Sequence, residues 1–110
     1  MATCILTVGR NVQGVPMSDE RWSEFRSDLS DLVNEWADEI YTYEALGHGL
    51  WDGVREDSVT WVFSAYAEDC STHFRFRRQD IARLAAKYGQ DAIALVRGES
   101  ELIAPSGVLL

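Results

Sequence analysis

The feature that most constrains this chain is a helical pattern with one apolar face in residues 18–36. Ser18 is a suitable N-cap, and Asp19 and Glu20 follow in the first turn, where the helix dipole favours acidic side chains. The large apolar residues are spaced so that they share one side of the helix. They are Trp22, Phe25, Leu29, Leu32, Val33 and Trp36. A helix that is apolar on one side has to be buried against a second layer.

The remaining regular segments are predicted to be four strands and a second helix. Residues 2–9 are apolar and β-branched on both faces, which is typical of a central strand. Residues 47–57 contain three glycines and predict a long hairpin loop. The other segments are a strand over 40–45, a strand over 58–66, a helix over 71–88 that stops at Gly89, and a strand over 91–97.

The order of these segments is β-α-β-β-α-β, which predicts an α+β fold. Two one-sided helices are most simply buried on one face of a sheet, and right-handed crossovers then give a ferredoxin-like βαββαβ two-layer sandwich. Its antiparallel sheet would have the strand order 4-1-3-2. We expect residues 1–103 to form a single domain and residues 104–110 a loose C-terminal tail. With 46% apolar residues, a chain of this length can bury a core without disulfides.

The charge of the chain limits its partners. The formal net charge is −8, which repels phosphate backbones, so we predict no nucleic-acid binding. Four arginines close together could form a local basic patch, although a solvated helix face is the favoured interpretation. They are Arg75, Arg77, Arg78 and Arg83. We also expect no membrane partner, no signal peptide and a location in the cytoplasm of a bacterial host, because the chain has no long apolar run and no basic leader.

The two cysteines do not predict a metal site or a disulfide framework. Cys4 lies in the first strand, where a buried structural role is expected. Cys70 and His73 are two candidate metal ligands, whereas a closed zinc site needs about four. We therefore predict neither a metal nor a cofactor.

The predicted topology brings polar residues from several loops to one edge of the sheet, which we call the polar edge. Loops held on a rigid scaffold are common places for binding sites. A structural network is the alternative, with Arg10 bonded to Glu56 or Asp91 and Gln90 capping an element. The candidate binding residues of the polar edge are Arg10, Asn11, His48, Trp51, Arg55, Glu56, Ser58 and Gln90.

Individual residues of the polar edge suggest chemistry without specifying it. His48 with Glu56 could act as an oriented general base, but a separation of eight residues across a glycine-rich loop is not diagnostic. Trp51 could stack on a flat compound or close the base of a hairpin. No catalytic residue is assigned.

Three stretches of the sequence resemble an uncharacterised bacterial domain family of unknown function. They are VGRNVQGVPMSDERWSEF, ALGHGLWDGVREDS and KYGQDAIAL. The chain also resembles small accessory proteins of actinobacterial phages. The resemblance spans most of residues 6–97 and supplies no reaction. The family-like positions are Gly9, Arg10, Gly14, Trp22, Phe25, Gly47, Trp51, Arg55, Glu56, Ser58 and Gln90.

Two hypotheses about function follow. The first is a small phage-type accessory protein without enzymatic activity, a homodimer that binds a host protein. Its dimer interface would be the open sheet face, with Tyr41, Tyr43, Trp61 and Phe63 as contact residues. The alternative is a binder of an anionic small molecule, or a minor enzyme, in which Arg10 and Arg55 hold the anion and Glu56 or His48 serves as acid or base.

Overall fold

A computed structural model of the protein describes residues 2–36, 42–65, 73–99, 101 and 103–107. Within these residues the chain is a mixed α/β structure with an antiparallel sheet and two helices. The elements in order are β1 (Ala2–Gly9), β2 (Asn11–Val12), β3 (Val15–Pro16), α1 (Asp19–Trp36), β4 (Thr42–Trp51), β5 (Val54–Ala65), α2 (His73–Lys87) and β6 (Ala94–Glu99). The described part contains no helix that is long and apolar enough to cross a membrane.

Helix α1 forms where its apolar pattern predicts it. The backbone N–H of Arg21 donates to Ser18 Oγ at 3.2 Å, so Ser18 caps the helix as expected. Phe25, Leu29 and Val33 are completely buried on the helix face that meets the sheet. The apolar face therefore joins a core that also contains Ile81 of α2.

The main sheet has four strands in the order β4-β5-β1-β6, and all its pairings are antiparallel. The predicted order 4-1-3-2 was counted over four strands. The described residues form six, because two short strands, β2 and β3, follow β1 along the chain, and the observed order therefore differs from the predicted one. Strands β2 and β3 pair with each other across the turn at Gln13 and Gly14, whose φ angles are 50° and 80°. Positive φ at both turn residues is typical of a tight two-residue hairpin. No strand was predicted for this segment.

The structure of residues 47–57 also differs from the prediction. They do not form a long loop, because β4 and β5 remain paired as far as Trp51 and Val54. The two residues between them, Asp52 and Gly53, have φ angles of 49° and 77°. Asp-Gly with positive φ at both positions is the preferred turn of a two-residue hairpin. The strands predicted over 40–45 and 58–66 are therefore longer toward this turn, and residues 40 and 41 lie outside the described part.

The two faces of the sheet have different environments. Leu6 of β1 pairs with Trp61 of β5, and both side chains are buried beneath the helices. Phe63 lies on the same face and is also buried, so Trp61 and Phe63 are core residues and are not available on the open face. Tyr43 lies on the open face opposite Val62 and is 59% exposed. Tyr41 is outside the described residues, and the homodimer stays a prediction, as does the domain boundary at residue 103.

Candidate functional site

An open cleft of about 840 Å³ lies at the edge of the sheet where polar residues were predicted to gather. Its floor consists of small residues on the open sheet face, among them Thr7, Gly9, Gly49 and Ser58. Small residues leave room there for a bound molecule. The full lining is Thr7, Val8, Gly9, Asn11, Gln13, Gly14, His48, Gly49, Leu50, Asp52, Val54, Glu56, Ser58, Gly89, Gln90, Asp91, Ala92, Ile93 and Ala94.

One wall of the cleft is the outer part of the β4–β5 hairpin. Strand β1 pairs with β5 only as far as Gly9 and Ser58. The pairing of β4 with β5 continues for four more residue pairs, from His48–Asp57 to Trp51–Val54. The end of the hairpin thus projects beyond the rest of the sheet. Leu50 and Val54 on this projection line the cleft, although both are largely exposed.

The opposite wall is made by the β2–β3 hairpin and the loop that follows α2. Gln90 Nε2 donates to the Asn11 carbonyl oxygen at 3.3 Å, which ties the two segments together. Gly89 has a φ of +70°, and a side chain added there would also approach Val12 Cγ1 to 3.2 Å. A glycine is therefore required at this position both for its backbone conformation and for close packing.

Glu56 is a partly buried acidic residue of the cleft. Its side chain folds over Gly9 so closely that a Cβ atom added to Gly9 would overlap Glu56 Oε1. Burial raises the pKa of the Glu56 carboxyl group above its ordinary value of 4.5. Among the described residues, no Lys, Arg or His forms an ion pair with this carboxylate. Glu56 is thus a partly buried acid without a neutralising partner in the described structure.

The raised pKa predicts that Glu56→Gln stabilises the protein at neutral pH. The folded state favours the protonated acid, so its stability falls as the pH rises through the raised pKa, and glutamine cannot ionise. We expect the Tm to rise by roughly a few degrees at pH 7. The difference should disappear below the ordinary pKa of 4.5. Thermal melting of both proteins from pH 4 to pH 8 measures this, and a lower Tm for the variant at pH 7 would contradict it.

Arg10 is placed outside the cleft. Its Nε donates to the Met17 carbonyl oxygen at 2.8 Å, and its guanidinium contacts Asp19 at 2.6 Å and Asp57 at 3.5 Å. These contacts hold the start of α1 against β5. If Arg10 had a structural role, its predicted partner was Glu56 or Asp91. In the structure its partners are Asp19 and Asp57.

The eight predicted site residues are distributed as follows. Asn11, His48, Glu56, Ser58 and Gln90 line the cleft together. Arg55 is exposed and does not line it. The backbone of Trp51 closes the hairpin, and its side chain lies outside the described part.

The cleft floor and the projecting hairpin were not predicted from the sequence. Gly49 was predicted to be a loop residue, whereas it lies in a paired strand. Gly9 was predicted to end the first strand, as it does, but its place in the cleft was not foreseen. The Asp52–Gly53 dipeptide was the available signal for the hairpin, because Asp-Gly between strand-like residues marks a tight turn. Among the described residues, no group of three or more His, Cys, Asp and Glu side chains is placed to hold a metal ion.

The ionisable residues of the cleft are mainly acidic. Asp52, Glu56 and Asp91 line it together with one histidine, His48. No Lys or Arg of the described chain is among the lining residues. A cleft with this charge distribution attracts a cation and repels an anion.

The fold is similar to that of solved phage enzymes. One is a phage SAM lyase in complex with S-methyl-5'-thioadenosine, with a TM-score of 0.61 and 15% sequence identity over 98% of this chain and 83% of that chain. Another is a phage SAM lyase in the apo state, with a TM-score of 0.57 and 16% identity over 99% of this chain and 83% of that chain. No protein-family model matches the sequence, and no curated protein matches it. At these identities the likeness establishes the fold.

These findings correct the first hypothesis about function. The prediction of a non-enzymatic interaction module is wrong, because the solved structures that share the fold are those of an enzyme. The alternative of a minor enzyme at the polar edge agrees better with them. Its anionic ligand does not agree with the acidic lining of the cleft.

Proposed function

We propose that this protein is a phage-type lyase that cleaves S-adenosylmethionine in the cleft between the β4–β5 hairpin and the loop after α2. The observation that carries the proposal is the acidic cleft, in which Glu56 has no neutralising partner among the described residues. S-adenosylmethionine is a cation with a sulfonium sulfur and an ammonium group. The likeness to a phage SAM lyase with bound S-methyl-5'-thioadenosine supports this choice among cationic compounds.

The chemistry of such a cleavage can be written without a cofactor. The bond between the sulfonium sulfur and Cγ of the methionyl chain breaks, and its electron pair passes to sulfur. Sulfur becomes a neutral thioether, and S-methyl-5'-thioadenosine is released. A lyase adds no water, so the carboxylate oxygen of the same substrate forms the new bond to Cγ and closes a cyclic ester. The ammonium group keeps its positive charge, and atoms and charges balance.

The change of charge during this reaction limits what an acidic side chain can contribute. Positive charge on sulfur is lost as the bond breaks, so a charged group near the sulfonium acts differently on the substrate and on the transition state. A carboxylate near the sulfonium stabilises the substrate more than the transition state. We therefore assign Glu56 to binding and orientation of the cation and not to acceleration of bond breaking.

The proposal also includes two predictions made from the sequence, the ferredoxin-like topology and the phage origin. The four long strands, counted without β2 and β3, lie in the order second-third-first-fourth. This order supports a ferredoxin-like βαββαβ assignment. The phage origin of the solved neighbours supports a phage link for this chain. The actinobacterial origin and the resemblance to a bacterial domain family stay predictions.

The test is the release of S-methyl-5'-thioadenosine from S-adenosylmethionine by the purified protein, followed by liquid chromatography. We expect release well above the rate in a heat-denatured sample, which corrects for spontaneous decay of the sulfonium. Two tryptophan substitutions on β6 provide a matched pair. Ala94→Trp fills the cleft and should lower the rate at least about tenfold, which is about 1.4 kcal/mol in activation free energy.

Val96→Trp places the same side chain two residues along the strand, at an exposed position outside the cleft, and should leave the rate unchanged. Equal rates for Ala94→Trp and Val96→Trp would show that the reaction takes place elsewhere. No release above the denatured control would refute the proposed function.

A further inference from the structure

Gly9 has no conformational reason to be glycine. It lies in the regular strand β1 opposite Ser58 and has no positive φ. Glycine inside a strand weakens the strand, and it commonly marks a place where another group approaches the backbone closely. Here the approaching group is Glu56, whose Cγ would lie 3.2 Å from an added Cβ and whose Oε1 would overlap it.

The position of Glu56 follows from the register of the strands. Glu56 lies on β5 two residues before Ser58, the partner of Gly9, so it is the diagonal neighbour of Gly9 on the same face. Beyond Gly9 one backbone hydrogen bond, from the N–H of Arg10 to the Asp57 carbonyl oxygen at 2.9 Å, still joins the two segments, and no residue of β1 pairs with Glu56. Glu56 can therefore fold back over the end of β1 only because Gly9 has no side chain.

We propose that Gly9 and Glu56 together form the cation-selecting element of the cleft. Gly9 supplies the space that holds the Glu56 carboxylate at the floor, and the carboxylate makes the site prefer a sulfonium to the neutral thioether of the same nucleoside. This inference rests on the proposed function and specifies how substrate and product are distinguished. Gly9 is a positioning residue, because it acts through Glu56.

The selection has a direct consequence for turnover. A partly buried carboxylate attracts a positive sulfur at short range more strongly than an exposed one would. Cleavage removes that charge, so S-methyl-5'-thioadenosine loses the attraction that held the substrate. Product release is then favoured without a conformational change.

Binding measured with two matched probes tests the selection without turnover. The probes are S-methyl-5'-thioadenosine and its S-methylated sulfonium, which differ by one methyl group and one positive charge. Neither carries the methionyl chain, so neither is consumed. For the wild-type protein, calorimetry should give a Kd for the sulfonium about tenfold or more below that for the thioether.

The variants separate a specific role of Gly9 from a general loss of structure. Glu56→Gln and Gly9→Ala should each bring the ratio of the two Kd values close to one, and the double variant should show no further change. Gly47→Ala is the matched control. Gly47 also faces Ser58, but an added Cβ would meet Ser58 Oγ at 3.7 Å, an ordinary contact, so the ratio should stay at the wild-type value.

A second-site variant keeps the proposal testable if Gly9→Ala folds poorly. Glu56→Asp in the Gly9→Ala background shortens the acid by one methylene, so its carboxyl carbon takes the place of Cγ, 3.2 Å from the added Cβ. Rotation about the aspartate Cβ–Cγ bond moves the carboxylate oxygens away from the place of Glu56 Cδ, which is 2.4 Å from that Cβ. Partial recovery of the ratio is expected. An unchanged ratio in Gly9→Ala or in Glu56→Gln would overturn the inference, and so would failure of the wild-type protein to prefer the sulfonium.

The outcomes also separate this inference from the proposed function. If S-methyl-5'-thioadenosine is released but the ratio of the two Kd values is the same in the wild-type protein and in both variants, the lyase function holds and the selecting role of Gly9 and Glu56 is refuted. If the ratio depends on Glu56 but S-adenosylmethionine is not cleaved, the cation site holds and the lyase function is refuted.

Discussion

Replacing Tyr88 with alanine is expected to lower the free energy of unfolding by about 3–5 kcal/mol, the usual cost of deleting a large buried aromatic ring. Tyr88 is 1% exposed, and its ring stacks on Phe25 of α1 with 4.6 Å between the centroids. It lies directly after α2, so its removal opens the contact between the two helices. Urea denaturation followed by tryptophan fluorescence measures the loss.

Tyr88→Phe is the control for this prediction, because it keeps the ring and removes only the hydroxyl. That hydroxyl donates to Asp28 Oδ2 at 2.6 Å, and Lys87 Nζ donates to the same oxygen at 3.0 Å. Loss of the Tyr88 hydrogen bond should cost about 1–2 kcal/mol. A cost below about 1 kcal/mol for Tyr88→Ala would show that the helices are not held together by this ring.

The hydrogen bond from Tyr88, and to a smaller extent the one from Lys87, lowers the pKa of Asp28 below its ordinary value of 3.8. A depressed carboxyl pKa stabilises the folded state above the unfolded value, and this stabilisation is lost as the pH falls through the folded value. The deficit of Tyr88→Phe should therefore be present at pH 7 and become smaller below the ordinary pKa of 3.8.

Shortening the β4–β5 hairpin is expected to abolish cleavage of S-adenosylmethionine while the protein stays folded. Gly49 and Glu56 form a strand pair, so residues 50–55 can be replaced by Asn-Gly, a two-residue turn that closes the hairpin at this pair. The change keeps Glu56 and removes Leu50, Asp52 and Val54 from the cleft wall. We expect kcat/KM to fall at least about 100-fold, which is about 2.7 kcal/mol in activation free energy.

The same deletion should cost little stability. Leu50 and Val54 are 76% and 52% exposed, and β1 makes no pairs with this part of β5. A change in unfolding free energy within about 1 kcal/mol is expected from denaturation curves. Wild-type kcat/KM in the shortened protein would show that the hairpin is not a wall of the site. The variant also removes Trp51 and Arg55, two predicted site residues whose part in the site is otherwise untested.

The sequence was most informative where an apolar pattern alone determines an element. Helix α1 could be predicted with its cap, because its apolar residues follow one helix face and Ser18 suits the position before it. The β4–β5 hairpin could not be predicted in the same way. Its outer strands are exposed and rich in glycine, so no burial pattern distinguishes them from a loop, and the Asp-Gly turn was the remaining signal.

The candidate site could be located from topology but not described from it. Strand order is enough to bring Asn11, Glu56 and Gln90 to one edge. The role of Gly9 was not predictable, because it depends on the path of the Glu56 side chain over β1. The partners of Arg10 could not be predicted either, because a guanidinium can reach several acids at such an edge. In the structure its partners, Asp19 and Asp57, come from α1 and β5.

The most direct test of the central claim is an NMR titration of the ¹⁵N-labelled protein with S-methyl-5'-thioadenosine. We predict that the backbone amide signals of Gly9, Gly49, Glu56 and Gly89 shift with a common Kd, since all four residues line the cleft. The amides of Gly98 and Gly107 lie outside it and should stay in place. Shifts confined to residues outside the cleft, or no saturable shift at any amide, would contradict this account.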